Sequence, residues 1–343
     1  MRWKARLLPK INVSFPVTDN NVLFFNYGHS MKLPHPRFLY QGLDPAFQQN
    51  SFLDDLGNPN LNPEVSVNYE LGLKSQISKN AAVSISAYNN NRFDYIVSRL
   101  VGVRDVTGKV VDKSMFINQD YAKIYGVEVS VQWRATRLLS GFGSVNYQVA
   151  RGKSNSARET SLQIQQTGEV ALSKEQFLAW DRPWDIKGGL IFKTDSTFFI
   201  GNTPFANYTV FFSVKTNSGY RYTPYKQVGE NSLGRPLYEI QQDQRLQKIG
   251  KWWFNADLKI TKSFFGDKGR GFSVFVEVRN MFNNKNSQIV NPITGRAWEP
   301  GDDLTEEYRD PRYIGPEERG AQPDNPARYL APRQLLYGIA FKF

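Results

Sequence analysis

The chain closes on Leu335-Leu336-Tyr337-Gly338-Ile339-Ala340-Phe341-Lys342-Phe343. Leu335, Tyr337, Ile339, Phe341 and Phe343 are apolar at every second position, with Leu336, Gly338, Ala340 and Lys342 between them. A period of two places the first set on one face of a β-strand. At the edge of a water-soluble sheet, an apolar strand running to the last atom is an aggregation hazard. In a lipid-facing sheet the same strand is well placed. Its apolar face meets hydrocarbon, and its edge hydrogen bonds close the wall.

The alternation recurs upstream. Ile11, Val13 and Phe15 form one set, followed by a strand from Val22 to Tyr27; then come Val65, Val67, Tyr69, Leu71 and Leu73. Val83, Ile85 and Ala87 continue towards Tyr95, and Val127, Val129, Val131 and Trp133 precede a strand around Gly141 to Val149. Ile186, Gly188, Leu190 and Phe192 are followed by Val210, Phe212 and Val214, by Phe254, Ala256, Leu258 and Ile260, and by Phe272, Val274, Val276 and Val278. With the terminal strand the count is eleven. Between the apolar positions stand Glu70, Glu128, Arg134, Asp257, Lys259, Glu277 and Arg279. Val129, Val131, Leu258, Ile260, Val274 and Val276 are therefore expected to face lipid, and Glu128, Lys259 and Glu277 the lumen.

Alternation also fits a β-sandwich with a wet outer face. The connections separate the two. Short ones at 18–21, 78–80, 135–138 and 266–270 interleave with long ones at 31–63, 154–181, 223–250 and 289–331, with moderate ones at 102–114 and roughly 195–205. Transmembrane barrels have short periplasmic turns and long outer loops. The sequence is therefore read as all-β, a transmembrane antiparallel up-and-down barrel wall of about eleven strands. Its last strand ends at the periplasm and its first runs downward, so a partner strand is expected before residue 1.

Composition agrees. Aromatics are 14% of 343 residues, with 24 Phe and 17 Tyr, yet the mean hydropathy is −0.49. So many rings in so polar a chain suit a sheet with one apolar and one wet face. No run approaches the ~18–20 apolar residues of a membrane helix, whereas barrel strands need only about 9–11 alternating residues. Cysteine is absent, which removes disulfide and thiolate chemistry. The net charge of +11 is spread along strands and loops rather than clustered, so nucleic acid is not an expected partner. Arg2, Trp3, Lys4, Ala5 and Arg6 lead straight into a strand without a signal-peptide core. An outer-membrane protein needs such a signal, so the chain is expected to be the tail of a longer one.

Several stretches resemble one family. The terminal strand, Tyr337, Ile339, Phe341 and Phe343 in particular, resembles the C-terminal assembly signal of bacterial outer-membrane barrels. Gly57-Asn58-Pro59-Asn60-Leu61-Asn62-Pro63-Glu64 resembles the "GNPNLxPE" segment of TonB-dependent outer-membrane receptors. Ile117-Asn118 to Tyr125-Gly126-Val127-Glu128 resembles their Asn-rich approach to a strand, and Val278-Arg279-Asn280-Met281-Phe282-Asn283 with Asn291-Pro292-Ile293-Thr294-Gly295-Arg296 their penultimate strand and its sequel. The prolines and asparagines read as turn and loop setters. The resemblance implies a 22-strand barrel with an N-terminal plug, of which residues 1–343 would be the C-terminal half. The plug, the TonB-contacting box and the first barrel half would lie outside this chain. The implied partners are outer-membrane lipid, the barrel-assembly machinery, the missing barrel half and plug, and, only through that N-terminal region, the TonB complex. The implied function is import of a scarce solute across the bacterial outer membrane: an iron chelate, corrinoid, glycan or peptide. A soluble lectin-like sandwich is the alternative. An open half-barrel should not insert stably alone, because each unmet backbone group in lipid costs several kcal/mol.

Other signals are weaker. The glycine-rich 266–271 stretch precedes a strand rather than the helix a phosphate loop needs, so it reads as a turn. Asp302, Asp303, Glu306 and Glu307 lack EF-hand spacing, so they read as a solvated loop, and no metal or cofactor is expected. His29 and His35 are the only histidines; Asp44, Asp54 and Asp55 share a loop with His35 without a catalytic spacing, so no enzyme is expected. Rings and cations in the long connections (Phe38, Tyr40, Tyr225, Tyr238, Trp298, Tyr308, Arg312 and Tyr313) suit ligand capture at a mouth. Of these, Tyr40, Tyr225, Tyr238, Trp298, Tyr308, Arg312 and Tyr313 are the candidate ligand-binding residues. Boundary aromatics form a girdle instead, and Trp252 and Trp253 are assigned to it.

If the final strand is an assembly signal, Phe343→Ala in a full-length receptor should lower the folded amount beyond what the loss of burial, about 1.5–3 kcal/mol, accounts for. Phe343→Tyr or Trp should be tolerated. The heat-modifiable fraction in purified outer membranes measures this; equal amounts for Phe, Ala and Asp would reduce the tail to an ordinary strand end.

Overall fold

The computed structural model describes residues 5–43, 55–104, 108–154, 174–265, 271–303 and 328–342. Eleven strands pair in chain order: β1 (Lys10–Thr18), β2 (Asn21–Lys32), β3 (Glu64–Ser78), β4 (Ala81–Arg104), β5 (Val110–Arg134), β6 (Leu139–Gly152), β7 (Trp184–Lys193), β8 (Tyr208–Asn217), β9 (Trp253–Phe265), β10 (Gly271–Arg279) and β11 (Gln334–Lys342). Every neighbouring pair is antiparallel. Two short strands join off this path: Asp55–Leu56 beside β5 and Gln176–Phe177 beside β6. The expected strand sequence holds, and the long–short alternation of connections holds except between β4 and β5, where only 105–109 remain, and at 194–207, which is longer than the other short-end turns. The 266–270 turn and Phe343 lie outside the described residues.

The described turns at the short end share one chemistry. A side-chain oxygen ahead of the turn accepts the amide two residues on: Thr18 from Asn20, Ser78 from Asn80, Thr136 from Leu138 and Asp195 from Thr197. These are local turns that Ser, Thr and Asp form without tertiary help.

Register settles the faces. Lys259 pairs with Glu277, and Leu258 and Ile260 with Val278 and Val276; Val276 and Val274 pair with Tyr337 and Ile339. Directly paired residues share a face, so apolar and polar sets stay separate from β1 to β11. Most of the apolar face is partly or fully exposed, Tyr337 at 82%, as a lipid-contacting surface is. Two aromatic belts bound it. Near the long-loop end Tyr27 packs on Tyr69 and Tyr147 on Trp184, with ring centroids 5.1 and 4.8 Å apart. Near the short end Phe264 stacks on Phe272 at 4.7 Å, with Phe341 beyond it at 6.4 Å. Trp184 and Phe192 are separated by eight residues on β7, about 27 Å of strand. At the usual tilt that is roughly 19–22 Å along the membrane normal, close to the ~25 Å band of outer-membrane barrels. Lys262 sits on the apolar face at the short end, its ammonium 4.5 Å from the Tyr208 ring and 5.5 Å from Phe264. Its ammonium donates to the Ala206 carbonyl, which holds the charge at the edge of the belt rather than in hydrocarbon.

Two sequence expectations need correction. The segment from Ile117 to Gly126 is not an approach to a strand but part of one, since β5 starts at Val110. It pairs with β4 well above the belt and leaves only 105–109 as the connection. Trp253 is not in the girdle. It pairs with Asn217, which pairs with Asp185, and this is the polar register. Trp252 has the outward parity and stays exposed.

Val276→Arg, on the lipid face between its apolar partners Ile260 and Tyr337, should cost about 2–4 kcal/mol if near the midplane. Ser273→Arg, three residues away on the polar face, should cost little. Urea titration of the complete receptor folded into vesicles would measure both; equal costs would refute the assignment of faces.

Candidate functional site

Between the belts the polar face forms a hollow of about 420 Å³, lined among others by Asn12, Ser14, Asn26, Glu70, Ser86 and Glu128. Side chains along the polar face bond laterally. Asn26 donates to Glu70 (3.0 Å), Tyr88 to Asn146 (3.0 Å), and Lys187 pairs with Asp185 (2.9 Å). Glu277 takes Arg279 at 2.5 Å and Lys259 at 3.5 Å. Tyr88 reaches across a strand because Gly126 lies under its ring; a Cβ there would stand 2.5 Å from the hydroxyl. Such a wall carries fixed hydrogen-bonding groups to a wet interior while its outer side stays apolar.

Above the upper belt, long connections fold onto the same inner side. The 57–64 segment lies against β4 and β5. Asn58 donates to the Phe116 carbonyl (3.0 Å), and Asn118 accepts from the Asn62 amide (2.7 Å) and donates back to its carbonyl (3.0 Å). Leu61 is buried with Ile96 and Phe116, and Phe38 and Leu39 pack on them. Glu64 accepts the Ile96 amide (3.2 Å) and Asn118 donates to the Asp94 carbonyl (2.7 Å). Both hold the irregular turn of β4 where Asp94 has φ 59°. Two motifs far apart in sequence thus bind each other and one bulge, a role beyond setting turns. Asp55 is fully buried and accepts Ser98 and Ser114 hydroxyls at 2.7 Å.

The 174–183 segment that enters β7 also turns inward. Leu178 is buried among Ala122, Ile124 and Ala150, with Tyr88, Tyr95 and Trp180 around it. Asp181, fully buried, accepts the Ala150 amide at 3.0 Å and Arg221 Nε at 2.6 Å. The Arg221 guanidinium lies 3.6 Å from the Phe177 ring centroid and donates to the Leu246 and Gln247 carbonyls. One ion pair therefore ties the connection before β7 to the one before β9. Arg182 donates to the Ser218 carbonyl at 2.8 Å and stacks 3.7 Å from the Trp253 ring, with Tyr220 at 5.2 Å. Arg99 pairs with Asp120 at 3.2 Å, and Ser154 donates to the same carboxylate. Burial pushes the Asp181 carboxyl up and the Arg182 guanidinium down from their ordinary values.

The candidate residues named from the sequence divide. Tyr225 and Tyr238 stand on a protruding hairpin, Tyr225–Glu230 with Pro236–Ile240. Tyr225 donates its amide to Pro292, and the Tyr238 hydroxyl donates to Asp303 at 2.9 Å. Tyr40 is exposed at the end of helix α1 (Pro36–Tyr40), on another connection. Trp298 is fully buried, so its ring packs the loop and cannot meet a solute. Tyr308, Arg312 and Tyr313 lie outside the described residues, as do Asp44, Asp54, Glu306 and Glu307. Asp302 is not a loosely solvated loop acid: Arg296 grips both its oxygens at 2.7 and 3.0 Å. His35 accepts the Arg37 amide, and His29 bonds the Tyr27 hydroxyl. Sequence reading missed Arg182, Arg221 and Asp181. The dense Trp180-Asp181-Arg182-Pro183-Trp184-Asp185 run, alternating rings and charges at a strand entrance, was the available signal.

Removing Arg221 leaves a buried carboxylate, a loss of roughly 3–5 kcal/mol, and replacing both partners recovers much of it. Arg221→Met should open the two connections to protease, and Asp181→Asn/Arg221→Met should restore resistance. A carboxyl whose folded pKa is raised contributes most stability in acid, below its unfolded value, and loses it as pH rises through the folded value. Protection of these connections should therefore depend less on pH in Asp181→Asn. Unchanged digestion of Arg221→Met would show that the pair holds nothing together.

Comparison with known proteins supports this reading of the fold. Residues 3–281 match the family described as TonB dependent receptor-like, beta-barrel. Among solved structures, the outer membrane transporter YddB of Escherichia coli superposes with a TM-score of 0.55 at 11% identity, over 82% of this chain and 37% of that one. A mutant of the ferric enterobactin receptor PfeA of Pseudomonas aeruginosa gives 0.55 at 16% identity, over 97% and 39%. The copper transporter OprC gives 0.50 at 12%, over 97% and 39%. No curated protein matches. The chain thus spans roughly two fifths of these transporters' length, and a soluble lectin-like sandwich is not supported. Its continuous antiparallel wall, segregated faces and family match lead to one conclusion: the chain belongs to the TonB-dependent receptor β-barrel family, whose members are transporters of the bacterial outer membrane and not enzymes.

Proposed function

We propose that this chain forms the C-terminal half of the barrel wall of a TonB-dependent receptor that captures and imports a scarce solute: an iron chelate, corrinoid, glycan or peptide. In this reading β1 and β11 pair with strands of the rest of the receptor, whose plug fills the lumen and contacts TonB. The barrel-assembly machinery inserts the whole. The observation that carries the reading is the inward folding of the long connections onto a polar wall, which makes an aromatic and charged mouth above a wet passage. Rings and amphipathic cations are side chains that concentrate binding energy in small areas. Tyr40, Tyr225 and Tyr238 are the accessible described candidates for first contact, with Tyr308, Arg312 and Tyr313 on the connection before β11.

The test is uptake by cells expressing the complete receptor, with labelled ferric chelates, corrinoids, oligosaccharides and peptides. One class should accumulate, and accumulation should cease in cells lacking the receptor or treated with a protonophore. Accumulation that persists without the proton gradient would indicate a passive pore and overturn the proposal.

A further inference from the structure

Most described turns at the short-loop end are brief: 19–20, 79–80 and 135–138. The 194–207 connection is different. It carries Phe198, Phe199, Ile200, Pro204 and Phe205 around a small hairpin, Phe199–Ile200 paired with Thr203–Pro204, closed by the Phe205 amide on the Phe198 carbonyl at 2.9 Å. Phe199 and Ile200 are each 57% exposed. In water, two such residues side by side at a hairpin tip would be a liability.

The direction of the hairpin shows where they go. Had β7 continued straight, Phe198 would lie about 20 Å beyond Phe192, at ~3.3 Å per residue. Instead their ring centroids are 6.0 Å apart, near-perpendicular. Phe192 belongs to the apolar, lipid-facing register, paired with Val210 and Leu139. The chain therefore turns back at 195–197, where Asp195 accepts the Thr197 amide and hydroxyl and pairs with Arg137 of the neighbouring turn at 2.8 Å. It then lies against the outer side of the wall. Phe205 stacks on Tyr208 at 4.1 Å, also lipid-facing, and Lys262 joins the group, its ammonium 4.5 Å from the Tyr208 ring and donating to the Ala206 carbonyl. The lower aromatic belt is thus continued outward by the hairpin, beyond the circumference set by the strands.

We infer that the 194–207 hairpin is an interfacial anchor that seats Phe199 and Ile200 in the phospholipid of the periplasmic leaflet. The occupant follows from contact: Phe198 on Phe192 and Phe205 on Tyr208 join the hairpin to the lipid-facing belt across the polar 193–197 turn, and Lys262, the cation among these rings, gives its ammonium to the Ala206 carbonyl at the edge of the belt. Gly201, at φ 59°, turns the chain with Asn202 at the tip.

The experiment is photocrosslinking of the complete receptor in living cells, with p-benzoyl-phenylalanine installed at position 199, at 341 on the lipid face, and at 79 in a polar turn. Heat-modifiable migration verifies folding of each variant. Position 199 should yield phospholipid adducts at the level of position 341 and roughly tenfold or more above position 79, the partition that burying one such side chain sustains. Adducts with a periplasmic protein, with another segment of the receptor or with lipopolysaccharide, or a yield no higher than at position 79, would each overturn the inference.

Discussion

The structure depends on one constraint. In hydrocarbon no water is available to the peptide group, so every amide and carbonyl crossing the membrane needs a partner in the protein. The chain answers with antiparallel ladders between consecutive strands, and the irregularities keep to the ends. Register shifts occur at Pro16/Thr18 and Gln76/Ser78 by the short turns, and from Arg92 to Ile96 above the upper belt. Between the belts the described pairing is unbroken. The β4 bulge, where the ladder does fail, is repaired by Glu64 and Asn118.

A second consequence is that the usual order of burial is inverted. The valines, leucines and rings of the membrane zone lie on the outside, and the wall between the belts has little dry interior. Burial concentrates where the long connections fold over the inner side: Leu61, Ile96 and Phe116 in one cluster, Ala122, Ile124, Ala150 and Leu178 in another. There the protein behaves like a small soluble domain, with buried acids paired to Arg or hydroxyls as low dielectric requires. Asp181 with Arg221 and Asp55 with two serines are the examples. The mouth is thus built from ordinary core physics, set on a wall that obeys the opposite rule.

Much of this was legible in the residues. Alternation of Val274, Val276 and Val278 with Ser273 and Glu277 needs only the strand period to be read, and the turn residues Thr18, Ser78 and Thr136 close their turns locally. What escaped reading is what depends on contact between distant segments. Trp253 looks like a girdle residue until its register with Asn217 is known. Trp298 looks like a ligand ring until the loop around it is packed. Asp181 and Arg221 are forty positions apart, and no local pattern predicts their meeting.

The sequence by itself determined the strand order, the two faces and the end at which the long connections gather, because period, turn chemistry and loop length act over a few residues. Only the tertiary structure decided that those connections fold inward, which of their charges are buried in pairs, and that one turn at the opposite end bends back against the lipid side. Each of these outcomes is a balance between burial and the desolvation of particular polar groups, and that balance exists only once distant segments share the same space.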